Sequence, residues 1–476
     1  MGDAQKADIC VLGGGAGGVA LAAGAAQLGA RVVLIERGQL GGDNLNRGTV
    51  QSKALIAASR QAQNARQTRG FGITPLTPVI NFRAVAEHIQ SVAATIAPNE
   101  SAERLAGFGV QVLRGFARFE DRDTVSVGER RITARDFVIA TGSSPVIPQI
   151  EGLPRVAYLT NETLFANTVR FDHLIVLGGT GIALELAQAY LRLGSRVTLI
   201  ARGRFLPEYD PELSQPLIAR MRDEGMVLAE GVACDRCEPT DSGGVRLHVS
   251  KDGDVDVVEA SHLLILEGRT PNIDGLQLGA AGVAFDATGI KVSSRLRTSN
   301  KHIHAIGDVT GGPPYATLAR HHADVLMRRL VLGASEEARP QAMPIVIFAD
   351  PELAHVGMTE SQARKRHGDA IRVLRWPFSQ NDRAIAERRS DGFAKILASR
   401  AGRILGATII GANAGELIQT WSLAVSARLS VAEVARSIAP YPTFAETSLR
   451  AARGYTLEQP VETGMRSVLR LLPRFG

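Results

Sequence analysis

Asp8-Ile-Cys-Val-Leu-Gly-Gly-Gly-Ala-Gly-Gly18 is the stretch that decides the fold. Its first five residues, short and mostly apolar, read as a buried strand, the glycines as a tight turn, and the small residues running on to Leu28 as a helix. Gly13, Gly15 and Gly18 stand in G-x-G-x-x-G spacing. At that spacing the first glycine allows the turn, the second lets backbone approach a pyrophosphate, and the third packs helix on strand. The helix N-terminus then stabilises phosphate charge. A second strand, Arg31 to Ile35, runs into Glu36 and Arg37, and a carboxylate at that end suits the hydroxyls of a ribose. Strand, turn, helix and terminal acid in one register predict a dinucleotide-binding unit.

The same plan recurs from Leu174: a strand, Gly178-Gly-Thr-Gly-Ile-Ala183, a helix to Leu193, and a strand from Arg196 to Ile200. Gly178 is kept, but Thr180 and Ala183 occupy the later glycine positions, with Gly181 and Ile182 between them. Register identifies this weaker turn. Gly18 to Glu36 is 18 residues, and so is Ala183 to Ala201. The ribose-binding acid of the first unit is thus replaced by Ala201, followed by Arg202 and Arg204. Losing a carboxylate and gaining guanidinium groups favours a 2′-phosphate, which predicts NADPH with NADH as the alternative.

The chain reads as one nucleotide unit in two segments, 1–150 and 273–340, enclosing a second at 151–272 and followed by a third domain at 341–476. Near Gln341 the alternation of strand and helix ends. Ile345–Phe348 and Phe393–Leu397 read as antiparallel strands and Glu416–Leu429 as a helix, so the third domain is expected to be α+β without a phosphate loop.

Charged residues make up 21% and hydrophobic ones 45%, with a net charge of +6 spread along the chain. No basic stripe of the kind nucleic-acid binding needs is present. No apolar run is long enough to span a bilayer, and the start has no secretory pattern. Three cysteines exclude a disulfide framework and suggest a reducing cytoplasm.

Six further segments carry a family likeness: Gly41-Gly-Asp-Asn-Leu-Asn46, Ser52-Lys-Ala54, Ala140-Thr-Gly-Ser-Ser-Pro145, Gly268-Arg-Thr-Pro-Asn272, Ala305-Ile-Gly-Asp308 and Pro351-Glu-Leu-Ala-His-Val-Gly357. With them the whole chain resembles the pyridine nucleotide-disulfide oxidoreductases, and the run Ala183–Tyr190 resembles their mercuric reductase branch. The resemblance implies an α/β protein with two Rossmann-like domains, for FAD and NAD(P)H, and a C-terminal dimerisation domain. It implies a homodimer in which that domain completes the partner's active site. It also places Gly42, Gly268, Asp308 and the turn Ala140, Thr141, Gly142 at the flavin or its neighbouring loops. Lys53 and Glu185 are expected to meet near the flavin N5, where an ammonium stabilises charge on reduced flavin.

The departures bear on function. The family's redox cysteines, with four residues between them, are replaced by Asn44 and Thr49, and the proline before Ser52-Lys53 by Gln51. The family's C-terminal His-Pro-x-x-x-Glu motif reads Tyr441-Pro-Thr-Phe-Ala-Glu446 here. The nucleophiles and their acid–base partner have changed together, which argues against the usual dithiol route. Asn44, Arg47 and Thr49 offer hydrogen bonds to a substrate instead. Tyr441 offers a donor, with an unperturbed pKa near ~10, and Glu446 is placed to orient it. Cys10 lies in the first strand, and Cys234 and Cys237 form a C-x-x-C read as structural.

The expected function is therefore passage of hydride from NADPH through FAD directly to a small acceptor such as a quinone. Two alternatives stand beside it. Soluble nicotinamide transhydrogenases share the Thr at the second Cys position and the Tyr-Pro-Thr. A catalytically silent flavin-binding sensor or scaffold is the other. Arg466, Arg470 and Arg474 share one helical face in the C-terminal tail, which suits contact with an anionic membrane surface or, better, packing on the partner subunit.

Overall fold

The computed structural model describes residues 4–339 and 342–457. The basic tail named above lies outside them. By its internal contacts the chain divides into two compact units, Met1–Leu206 with Glu224–Pro340, and Pro207–Asp223 with Gln341–Gly476.

The first unit holds both nucleotide folds. Its larger sheet has parallel strands Gln111–Arg114, Val32–Glu36, Gln5–Leu12 and Arg130–Ile139 side by side, and Ile303–Ala305 returns to pair with the last of these. Antiparallel strands Thr124–Val127 and Ala117–Phe119 extend that edge. Ile9, Cys10, Val11 and Leu12 are all fully buried. This is the continuous apolar run of a parallel strand covered on both faces. The second sheet is wholly parallel, in the order Val227–Glu230, Arg196–Ala201, His173–Leu177, His262–Ile265, Tyr158–Leu159. A three-stranded antiparallel meander, Ala233–Pro239, Val245–Lys251 and Asp254–Ala260, belongs to the same half.

The two glycine turns match in detail. Gly13 N–H donates to Ile35 O at 2.9 Å and Ala140 N–H to Leu12 O at 2.7 Å; Gly178 N–H donates to Ile200 O at 2.9 Å and Leu266 N–H to Leu177 O at 2.7 Å. Both glycines have positive φ, 108° and 143°. A Cβ on either would lie 2.4 Å from a carbonyl oxygen, of Ala140 or Leu266. Only glycine fits such a crossing. The third position separates the turns. A Cβ on Gly18 would lie 1.9 Å from Gly13 O, whereas Ala183 is accommodated and fully buried.

The second unit is a five-stranded antiparallel sheet, in the order Ile345–Ile347, Glu352–Gly357, Ile404–Gly411, Phe393–Ser399, Ile371–Pro377. Helix Ala414–Ser426 begins two residues before the sequence reading and ends three before it, because Asn413 starts it from a left-handed conformation and Ala427 caps it. Helix Pro211–Asp223, which in sequence lies within the second nucleotide repeat, groups with this unit. Its Leu213, Leu217, Ile218 and Met221 are buried. No helix among the described residues is long and apolar enough to cross a membrane.

Candidate active site

The first glycine turn opens onto a cavity lined by Gly13, Glu36, Arg37, Phe116, Thr141 and Asn272, among others. The Glu36 carboxylate accepts from Gly14 N–H and Gly38 N–H, each at 2.6 Å, so it is fixed at the rim of this cavity. Arg37 lies over the Phe116 ring at 6.0 Å. Gly42 starts a short helix, and a Cβ there would lie 2.8 Å from Gly15 Cα. These features fit FAD: a glycine turn at a helix N-terminus for the pyrophosphate, and a carboxylate beside a cavity for the adenosine.

Lys53 on helix Thr49–Arg66 and Glu185 on helix Gly181–Arg192 meet, Nζ to Oε2, at 2.7 Å. The glutamate side chain is 5% exposed and the lysine 31%. Burial of the acid fixes where the ammonium sits, and the half-exposed lysine keeps one side open.

Asn44 is half-buried and Thr49 exposed, and neither side chain makes a hydrogen bond among the described residues. Their loop is held by other groups. Asn161 Nδ2 donates to Arg47 O at 3.0 Å, Arg47 pairs with Glu162 at 3.2 Å, and Asn46 Nδ2 donates to Leu40 O at 2.8 Å. Arg269 is the hub that sequence reading missed. It donates to Ser143 Oγ at 2.7 Å and Ser143 O at 2.6 Å, and it pairs with Asp43. Ser143 Oγ donates in turn to Asp308 at 2.6 Å. Burial pushes the Asp308 carboxyl up, against the pull of Ser143 and Arg269. Arg269 and Asp43 both stand inside quoted family segments, but only the structure reveals that they face each other. Gly268, just before Arg269, has φ 135°, a conformation that favours glycine.

At the second turn Thr180 stands immediately before helix Gly181–Arg192 without its side chain capping it, and its hydroxyl donates to Leu266 O at 3.3 Å; Ile182 is half-buried. Ala201 pairs in register with Glu230, whose Oε1 accepts from Phe205 N–H at 2.6 Å. That bond anchors the loop carrying the exposed Arg202 and Arg204.

In the second unit Tyr441 is 70% exposed. Its hydroxyl donates to Asp382 Oδ2 at 2.8 Å, and that bond raises its pKa. Glu446, expected to orient the tyrosine, pairs with Arg450 at 3.8 Å instead, one helical turn along Ala445–Leu457. Asp382 sits in a segment that sequence reading did not connect to Tyr441.

All three cysteines are buried free thiols. Cys234 and Cys237 line the core beneath the meander with Val245, Leu247 and Ile150. Burial pushes Cys234 up to about 12 and raises Cys237 as well, so neither is a thiolate at neutral pH. We expect replacement of both by Ala to leave turnover within about twofold, measured by steady-state kinetics; a tenfold loss would restore them as redox candidates.

Two glycine turns, each at the carboxyl end of parallel strands, with Glu185 on the helix after the second turn paired to Lys53 on helix Thr49–Arg66, define a two-dinucleotide flavoprotein oxidoreductase. The chain belongs to the class I pyridine nucleotide-disulfide oxidoreductase family. Residues 7–323 match its pyridine nucleotide-disulphide oxidoreductase model, and residues 343–452 match the dimerisation domain. It is similar to mercuric reductase of Streptomyces lividans, 34% identical over 94% of this chain and 96% of that enzyme. Dihydrolipoyl dehydrogenase of Bacillus subtilis is 33% identical over the same shares. Among solved structures, LpdA of Mycobacterium tuberculosis superposes with TM-score 0.86 at 27% identity, over 94% of this chain and 99% of that one. The HOCl-induced flavoprotein disulfide reductase RclA of Escherichia coli, as its Cu(II) complex, gives 0.84 at 25%, over 96% and 100%. The family supports FAD-dependent pyridine nucleotide oxidoreductase activity.

Proposed function

We propose that this chain is a homodimeric, NADPH-dependent flavoenzyme that passes reducing equivalents through FAD directly to a small acceptor such as a quinone, without a dithiol relay. The observation that carries this reading is the pairing of Lys53 with Glu185 beside a loop whose thiol positions hold Asn44 and Thr49. Bound FAD would supply two-electron storage between nicotinamide and acceptor. Gly13, Gly15, Gly42 and Glu36 would hold it, with Asp308 along its chain. Lys53 sets the charge beside the ring, and Glu185 keeps Lys53 in place. Asn44 and Thr49 present neutral hydrogen-bonding groups to the acceptor, and Tyr441 of one protomer faces the site of its partner.

Arg202 and Arg204 support NADPH over NADH. Arg202→Ala is expected to raise KM for NADPH about tenfold or more with little change for NADH, because a charge-assisted bond to phosphate is lost. Equal changes for the two nucleotides would remove the phosphate assignment.

The deciding experiment is anaerobic titration of the purified protein with NADPH and NADH, following flavin absorbance. Bleaching by about one two-electron equivalent per flavin, at lower NADPH than NADH, supports the reading. Quinones and NAD⁺ are then compared as oxidants. Reoxidation by NAD⁺ alone would favour the transhydrogenase reading, which Thr49 and Tyr441-Pro-Thr443 keep in view. No bleaching by either nucleotide would leave a silent flavin protein.

A further inference from the structure

A phenol has one proton. In Tyr441 that proton is directed at a carboxylate oxygen of Asp382, 2.8 Å away, which can only accept. The rest of the oxygen's coordination sphere is lone pairs. The geometry is built in. Asn381 caps helix Asp382–Ala386 by accepting from Ala384 N–H at 2.9 Å, and its Nδ2 donates to Thr443 O at 3.0 Å. Thr443 Oγ1 donates to Pro440 O at 2.7 Å. The segments carrying Tyr441 and Asp382 are therefore joined by a second bond, Asn381 to Thr443, beside the phenol–carboxylate bond, and each segment is braced internally.

The surroundings show what this bond is for. Ile385, on the same short helix as Asp382, and Ile438, three residues before Tyr441, are both exposed, as is the tyrosine itself. Three large apolar groups on one stitched pair of segments have no folding role in water. They lie within the residues matching the family's dimerisation domain, and burial against a second subunit would desolvate the Tyr441–Asp382 bond and strengthen it.

We propose that Asp382 is a positioning residue that fixes the hydrogen-bond polarity of Tyr441. The pair presents an acceptor to the active site, so the preferred electron acceptor is one that carries its own hydroxyl or N–H donor next to its reducible group. The substrate half of this proposal rests on the direct-acceptor reading above. It also turns round the role that sequence alone gives Tyr441, that of a donor. The raised pKa of the phenol agrees with a poor proton donor.

The test uses the full-length FAD-loaded homodimer and two probes of similar size, 2-hydroxymethyl-1,4-benzoquinone and 2-methyl-1,4-benzoquinone. The wild type is expected to favour the hydroxymethyl compound about tenfold in kcat/KM, the worth of one good hydrogen bond in a desolvated site. Tyr441→Phe and Asp382→Asn should each bring that ratio to about one, the second because a neutral amide no longer commits the phenol proton. A ratio near one in the wild type, or a tenfold ratio retained in Asp382→Asn, overturns the proposal. Failure of both quinones while NADPH still bleaches the flavin sinks the quinone reading and with it the substrate half. In that case ¹³C-tyrosine NMR, with the Tyr441 signal assigned through Tyr441→Phe, decides the pair. A fall of its pKa toward ~10 in Asp382→Asn supports Asp382 as the positioning group, and an unmoved value removes it.

Discussion

Lys53→Ala is expected to slow reduction of the flavin by NADPH about a hundredfold, measured by anaerobic stopped flow. Removing one preorganised charge aimed at a site where charge develops costs about 10²–10³ in rate. Lys53 has that preorganisation: its ammonium is held at 2.7 Å by a carboxylate that is itself 5% exposed, so it cannot drift with solvent. A merely structural ion pair between two helices would behave differently. Its loss would lower the midpoint of unfolding and leave the rate of the surviving folded protein close to normal. Glu185→Gln separates the two readings. It keeps the lysine's charge and the packing but weakens the tether, and a smaller slowing, of about tenfold, is expected. If Lys53→Ala reduces its flavin at the wild-type rate, the pair serves only the fold.

What sequence could reveal depended on how local each feature is. The two nucleotide folds were legible because their determinants lie within about 30 residues. Gly13 and Gly178 must be glycine to pass Ala140 O and Leu266 O, and that need is written in the chain. The Lys53–Glu185 pair spans 132 positions, yet both members sit on motifs whose placement is set by the fold. Arg269 and Asp43, 226 positions apart, also stand on family segments, but nothing in either segment says that the two side chains face each other. Nor does anything in the sequence join Asp382 to Tyr441. An aspartate at the start of a short helix reads as a first-turn acid that suits the helix dipole, and nothing local says that a phenol 59 residues on will donate to it. Glu446 was the natural guess because it closes the family motif, but in the structure Arg450 engages it from the next turn.

The grouping of helix Pro211–Asp223 with the C-terminal unit was hidden for the same reason, and it yields the largest stability effect expected here. Lys395 is 2% exposed, and its ammonium contacts Asp210 at 2.9 Å, Glu360 at 2.7 Å and also Glu212. Asp210 and Glu212 come from the start of the helix segment, whereas Lys395 comes from strand Phe393–Ser399. The three acids could otherwise be mistaken for a cation site, but the lysine fills it. Burial opposes the charge on Lys395, and the three carboxylates overcome this and raise its pKa. Burial likewise pushes Glu212 and Glu360 up, but their cationic partners outweigh it and both are lowered. The two directions define a window. The carboxylate contribution is present above ~4.3 and is lost as pH falls through the lower folded values. The lysine contribution is present below ~10.4 and is lost as pH rises through the higher folded value. Lys395→Met is therefore expected to cost roughly 2–3 kcal/mol near neutral pH, because it removes the buried cation from three clustered carboxylates that solvent, Arg375 and Arg364 compensate only in part. Both tryptophans, Trp376 and Trp421, lie in this unit, so their fluorescence during urea unfolding reports it directly. Adding Asp210→Asn to Lys395→Met should recover part of the loss if charge is the cause, and none if the loss comes from packing alone. A total cost under about 1 kcal/mol would mean that these groups behave as a solvated surface pair and do not fix the helix.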